Sequence, residues 1–283
     1  MKIARSPQLL QKLVRGLKLK GRTVGLVPTM GALHHGHLSL INKSLGQNDA
    51  TIVSIFVNPS QFGPGEDYLR YPRPFARDKE LCRAAGVDIL FAPTIKAMYP
   101  RGYLTFIQVE NMSDILCGSF RPGHFRGVAT VVAKLFNIAS PDRAYFGQKD
   151  YQQLRVIERM VKDLNFLVKI VPCPIVREPS GLAVSSRNAY LSREEKTSSS
   201  AISKALQQAS YLIKYRGLKN TGKIINKLKE LIRSGIPGAR IDYIDIRDID
   251  NLEKLSSVEG PAAILCAVWV GKTRLIDNII LKS

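Results

Sequence analysis

The chain has 283 residues, 45% of them hydrophobic, enough to build a core in one large domain or two ordinary ones. Lys and Arg outnumber Asp and Glu by 42 to 23, giving a formal charge of +19. The excess is uneven: seven basic and no acidic residues in the first 22, and nine basic residues against Glu230 alone from Lys204 to Arg240. No apolar run reaches the roughly 18–20 residues of a membrane span, no apolar leader precedes a small-residue cleavage site, and Cys82, Cys117, Cys173 and Cys266 form neither a CxxC pair nor a Cys/His cluster. These features argue against a membrane protein, an exported disulfide scaffold and a zinc module. They lead us to expect a cytoplasmic location and buried free thiols. The charge favours anionic partners or marks a solvated basic surface, and no RNP, finger or helix-turn-helix signature directs it to nucleic acid.

Ser6 and Pro7 open a predicted helix, Ser6 as cap and Pro7 at the first helical position, where its missing N–H costs nothing. A strand is expected at 23–28, a helix from about His35 to Gln47, a β-branched strand at 51–57, a loop to Arg73, a helix to Ala85 and a strand at 88–91. Further along come a helix near 128–139, a strand at 144–146, a helix near 151–163 and a strand at 167–171. This βαβ alternation predicts an α/β fold, a parallel sheet with helices on both faces and ligands at the C-terminal ends of its strands. After Val176 the pattern changes to a polar stretch, helical material from about Ser192 to Ser234, and strand-like runs at 241–246, 262–270 and 274–280. A smaller α+β domain is therefore expected there, with the boundary within 177–190.

The segment Pro28 to His37, PTMGALHHGH, lies where a strand meets a helix. Gly31 and Gly36 let a ligand approach the backbone, and the helix N-terminus offers unpaired N–H groups to phosphate. His34 and His37, three residues apart, are expected to project from one helical face. Two such donors stabilise the charge that builds on phosphorus as an oxygen attacks and pyrophosphate leaves. No carboxylate follows at the spacing of a zinc-protease helix, and His35 and His124, taken singly, read as ordinary structural histidines.

Val184, Ser185, Ser186 and Arg187 put two hydroxyls and a guanidinium in one loop. That is either a second anion-handling group or a Ser-rich loop before a helix cap at Ser192. Gly147, Gln148, Lys149 and Asp150 follow a strand and open a helix. Lys149 is there a point charge for phosphate, and Asp150 either faces magnesium or caps the helix. Asn58 and Gln61 come just after TIVSIFV, and Gln153 lies in the first turn after Asp150. Neutral amides of this kind orient a hydroxyl-bearing carboxylate without neutralising the oxygen that must attack. Gly123 to Gly127, GHFRG, reads as a basic flexible segment, either a substrate or phosphate contact or a turn.

Taken together and in this order, PTMGALHHGH, FVNPSQF, RPGHFRGV, FGQKDYQQL and VSSRNAYLS closely resemble the pantoate–β-alanine ligase family, and the match runs on to RLIDN at 274–278. The HxGH element alone is shared by the wider nucleotidylyltransferase superfamily. A transferase that stops at an adenylylated product is thus the nearest alternative, and a basic nucleic-acid-binding protein a more distant one.

The resemblance implies a two-step ATP-dependent ligase. The carboxylate of (R)-pantoate attacks the α-phosphate of ATP to give pantoyl adenylate and pyrophosphate, and the amine of β-alanine then displaces AMP to give pantothenate. It implies that Met30, Gly31, Ala32, Leu33, His34, His35, Gly36 and His37 bind ATP, together with Gly147, Gln148, Lys149, Asp150, Val176, Val184, Ser185, Ser186 and Arg187. It further implies that Gln61, Gln153 and Asn58 hold pantoate, that Gln61 also meets β-alanine, and that Asp150 faces Mg2+. Catalysis falls to His37, His34, Lys149, Ser185, Ser186 and Arg187. His37, the residue usually labelled proton donor, is assigned charge stabilisation first, because a carboxylate nucleophile and a magnesium-bound pyrophosphate need little proton transfer. Many members carry Glu where this chain has Gln148, so charge at that position is not general to the mechanism. The resemblance also implies a Rossmann-like domain over 1–178, a smaller α+β domain over 179–283 that closes over the site, a cytoplasmic homodimer, and no nucleic-acid or membrane partner.

Overall fold

Aliphatic and β-branched runs form six strands in the first part of the chain: β1 (Lys2–Ala4), β2 (Val24–Thr29), β3 (Ala50–Ile55), β4 (Ile89–Phe91), β5 (Arg143–Gly147) and β6 (Lys169–Cys173). All pair in parallel, in the order β1-β4-β3-β2-β5-β6. Between them lie α1 (Pro7–Lys18), α2 (His35–Leu45), α3 (Phe75–Ala85), α4 (Ile95–Met98), α5 (Cys117–Phe120), α6 (His124–Ala139) and α7 (Tyr151–Asp163). The computed structural model describes residues 1–282 and separates into two units, 1–148 with 153–174, and 149–152 with the residues from 175 onward.

In the first unit the central strands are buried along almost their whole length, as expected where helices cover both faces of a parallel sheet. Val27, Val53, Leu90 and Tyr145 form one core with Leu40 and Ile41 of α2 and Cys82 of α3. α1 and α6 pack against each other and against β2. Each such aliphatic side chain contributes roughly 1.5–3 kcal/mol through burial. The sheet is Rossmann-like. Its register pairs Val24 with Ala50 and Thr29 with Ile55, so the segments leaving β2 and β3 emerge side by side at one edge.

The second unit contains α8 (Arg193–Ser198), α9 (Ser200–Arg216) and α10 (Thr221–Gly235), followed by antiparallel β7 (Arg240–Asp248), β8 (Ala262–Val270) and β9 (Thr273–Leu281). Ile224, Leu228 and Ile232 recur at four-residue spacing on α10 and join Ile202 and Leu206 of α9 against Ile246, Ile264, Cys266 and Val268 of the sheet. Ser192 caps α8 in a capping box with Glu195.

Several boundaries differ from the sequence expectation. α6 begins at His124, four residues before the expected start, because Phe125 and Gly127 are already part of its buried face. The GHFRG segment is thus an ordered helix start, with Gly123 at φ +78° as its cap, not a flexible turn. β6 begins two residues late, since Asn165 takes φ +52° and Leu167 is fully exposed. β1 was not anticipated: three residues at the sheet edge are too few to show a period. The four cysteines are buried free thiols, and among the described residues no helix is long and apolar enough to cross a membrane.

Candidate active site

After β2 the chain reverses through two successive left-handed residues, Gly31 (φ +85°) and Ala32 (φ +50°), before reaching His34, the N-cap of α2. Thr29 Oγ1 donates to Ser54 O (2.7 Å) and accepts the Gly31 N–H (3.1 Å), tying the turn to β3. Asp78 of α3, 1% exposed, accepts the N–H groups of Ala32 and Leu33, both at 2.8 Å. A Cβ at Gly31 would lie 3.0 Å from both Asp78 Oδ2 and Ile55 Cγ2, so glycine there supplies the positive φ and the space for the carboxylate.

His34 has extended backbone (φ −139°) and stands just outside the helix, whereas His37 is three residues along within it. The two rings come together by stacking, with centroids 4.0 Å apart and planes at 29°, instead of projecting as neighbours on one helical face. A Cβ at Gly36 would lie 2.9 Å from His34 Cε1, so the imidazole lies close over that glycine. His37 Nδ1 accepts the His34 N–H at 3.4 Å, which in a neutral ring leaves the proton on Nε2, the far nitrogen. His35 begins the helix and is exposed.

Alongside this turn, β3 leads into Asn58 and a single 3-10 turn, Pro59–Gln61. Asn58 is 1% exposed. Its Nδ2 donates to Gln61 Oε1 and Gly127 O (3.1 Å each), and its Oδ1 accepts from Tyr99 Oη (2.8 Å) and Ser60 Oγ (2.9 Å). Burial pushes the Tyr99 phenol above its ordinary pKa, which keeps it a neutral donor. Gln61 Nε2 lies 3.2 Å from Met30 Sδ, which joins the FVNPSQF and PTMGALHHGH segments directly.

The main chain of Gln61 is held as firmly as its side chain. His124 Nδ1 donates to Gln61 O at 2.8 Å, since a carbonyl can only accept, and its Nε2 lies 3.3 Å from Arg121 Nη1. Arg121 also donates to Gln61 O (3.3 Å) and makes a two-point ion pair with Glu66 (2.9 and 2.5 Å). α6 can approach only because Gly127 lacks a side chain, for a Cβ there would lie 2.2 Å from Ser60 O.

Gly147 and Gln148 end β5 and enter a 3-10 turn, both half-buried, and Gln153 is half-buried in the first turn of α7. The remaining expected residues form a separate group within the second unit. Val184 N donates to Val176 O (3.0 Å) and Arg177 bridges Ala183, so a short antiparallel hairpin presents Ser185 to Arg187. Ser185 Oγ accepts the Arg187 N–H at 3.3 Å. Within this hairpin Arg177 is gripped by Asp277 at 2.6 and 2.9 Å and donates to Gly181 O in the closing turn (3.1 Å). Next in sequence to Asp277, Asn278 donates to Lys149 O (2.9 Å), and Lys149 Nζ lies 3.8 Å from Asp150 Oδ2.

Among the described residues no three His, Cys, Asp or Glu side chains converge on a metal position. The sequence did not disclose the supporting residues Asp78, Arg121, Arg177 and Asp277. Asp277 has a visible signature, an acid inside the apolar strand RLIDN. Asp78 has none, because it sits in an ordinary charged helical run, Arg77-Asp78-Lys79-Glu80.

Residues 2–280 match the family model of pantoate-beta-alanine ligase. The chain is 56% identical to a pantothenate synthetase of Caldicellulosiruptor saccharolyticus over 273 residues, 96% of each chain. It superposes on the crystal structure of pantothenate synthetase from Thermus thermophilus with a TM-score of 0.93, at 44% identity and 99% coverage of both chains. A pantoate-beta-alanine ligase from Francisella tularensis, solved as a complex with beta-gamma ATP and beta-alanine, gives a TM-score of 0.82 at 39% identity, covering 99% of this chain and 97% of its own.

Proposed function

The chain belongs to the pantoate–β-alanine ligase family and condenses pantoate with β-alanine in an ATP-dependent reaction, and on that premise we propose that its own residues divide the work between an adenylating turn and an acid-selecting pocket. In the first step a pantoate carboxylate oxygen bonds to the α-phosphorus of ATP and the bond to the β-phosphate oxygen breaks, releasing pyrophosphate. In the second, the β-alanine nitrogen bonds to the acyl carbon, the acyl–oxygen bond breaks, AMP leaves, and the amine's surplus proton passes to water.

The observation that carries this reading is the junction at Met30. The turn bearing His34 and His37 meets the Gln61 amide there, so phosphate donors and an acid-orienting amide share one edge of the sheet. His37 Nε2–H and the His34 ring, with the N–H groups opening α2, stabilise charge growing on the phosphates. Met30 to Leu33 and Gly36 shape the nucleotide's path. Gln61 and Gln153 orient pantoate, Asn58 fixes the Gln61 amide, and Gln61 later meets β-alanine. Gly147, Gln148, Val176 and Val184 line the nucleotide, while Lys149, Ser185, Ser186 and Arg187 add donors to its phosphates. Asp150 would hold a magnesium ion brought by ATP, which would supply charge neutralisation at the phosphates. Family membership supports a cytoplasmic homodimer, which light scattering checks.

Product analysis tests the proposal. With pantoate, ATP and β-alanine the products should be pantothenate, AMP and pyrophosphate in equal amounts. Pyrophosphate and a stable adenylylated product, with no response to β-alanine, would instead identify a nucleotidylyltransferase.

A further inference from the structure

Asp78 lies on α3, more than forty residues from the turn it touches, and it is 1% exposed. Its two oxygens are divided between consecutive amides, Oδ2 on Ala32 N–H and Oδ1 on Leu33 N–H, both at 2.8 Å. The amides belong to a turn in which Gly31 and Ala32 are both left-handed, and Ala32 has a Cβ to oppose that conformation. A carboxylate is an acceptor only, so each of its oxygens takes one of the two donors, whereas an amide in the same pose sets an NH2 group where one of those oxygens stands. Asp78 is itself fixed in the first turn of its helix, where its N–H donates to Pro74 O at 3.0 Å.

We infer that Asp78 is a positioning residue for adenylation: it holds Ala32 and Leu33 so that His34 and His37 present their rings to the ATP phosphates. This rests on the role proposed above for the two histidines. The clamp also has a consequence for donor choice. With the Ala32 and Leu33 N–H groups turned to Asp78, phosphate is met by the first turn of α2 and the imidazoles, not by the preceding turn.

Asp78→Asn keeps the size of the side chain but sets an NH2 group against one of the two N–H donors. The variant and His37→Ala are compared with wild type by single-turnover formation of pantoyl adenylate, and by transfer from preformed adenylate to β-alanine. For Asp78→Asn we expect the adenylation rate constant to fall roughly 10- to 100-fold with full amplitude, the effect of a small displacement of catalytic groups, while amide formation stays within about threefold. A lowered amplitude with an unchanged rate constant means that Asp78 only supports folding and overturns the inference. An unchanged rate constant in Asp78→Asn alongside a slow His37→Ala also overturns it, while leaving the histidine assignment standing. Unchanged rates in both variants remove the histidine assignment and the inference together.

Should Asp78→Asn not fold, wild-type hydrogen exchange decides. The Ala32 and Leu33 amides should exchange at least about tenfold more slowly than an unstructured chain, and exchange at the unstructured rate overturns the clamp.

Discussion

The two loops proposed to handle phosphate are held in different ways. In the first unit the Gly31 to Leu33 turn is fixed through its backbone, two N–H groups on the buried carboxylate of Asp78. In the second unit the Val176 to Arg187 hairpin is fixed through a side chain, Arg177, whose guanidinium joins Gly181 O to the Asp277 carboxylate. A carboxylate on backbone amides sets the path of the main chain and hence the placing of whatever follows it. A carboxylate on an arginine sets where a hairpin lies and leaves its backbone amides to pair with one another, as Glu178 N with Leu182 O and Val184 N with Val176 O. On the roles proposed above, the first arrangement suits groups that must meet a transition state within a fraction of an ångström, and the second suits donors that hold the phosphates of a bound substrate.

The contrast can be broken at several points. The largest expected effect is in the helix that follows the first turn: His37→Ala should lower kcat by roughly 10²-fold or more, the scale of losing one transition-state donor. Steady-state turnover by a variant with wild-type thermal stability measures it, and an unchanged kcat would remove the ring from the chemistry.

Next is the anchor of the second loop. Arg177→Met strands Asp277, 5% exposed, without its cation and should cost about 2–3 kcal/mol in denaturant unfolding. A midpoint equal to wild type would show that the hairpin does not depend on that pair.

Gln61→Ala should lower kcat/KM for pantoate roughly 10- to 100-fold and leave the KM for ATP within about twofold, because a pocket made for hydroxyls and a carboxylate loses a partner. Kinetics with each substrate varied in turn separate the two, and a change in ATP alone would reassign the residue.

The smallest effect lies away from both loops. Burial opposes ionisation of Asp142, but hydrogen bonds from Lys18 and the Val24 N–H, with the Lys18 charge, hold its carboxyl below the usual aspartate range. A depressed folded-state pKa adds stability that is fully present above the unfolded value near ~3.9 and is lost as pH falls through the folded one. Asp142→Asn should therefore lower Tm slightly at neutral pH, and the gap should close in acid. A gap that widened on acidification would reverse the assigned sign.

Most of the sheet was legible because its strands are long apolar runs flanked by turn residues, and α7 and β8 fall where the periodicity put them. β1 was not, since three residues at an edge show no alternation. The segments proposed to bear the chemistry stood out in the sequence for a different reason. Glycines at a strand–helix junction and histidines three apart are local patterns, and so are amides placed just after a strand. Their supports were not legible, because the bond from Asp78 to Ala32 spans 46 residues and that from Arg177 to Asp277 spans 100. Spacing along the chain says nothing about a partner that only folding brings near. The stacking of His34 on His37 was also out of reach, since it depends on His34 standing outside the helix.

The claim on which the rest depends is that this protein makes an acyl-adenylate before any amine is involved. Pantoate-dependent exchange of labelled pyrophosphate into ATP, with β-alanine withheld, measures that step alone. Exchange that requires pantoate and is lost in His37→Ala is the result predicted here. Exchange that appears only when β-alanine is added would contradict it.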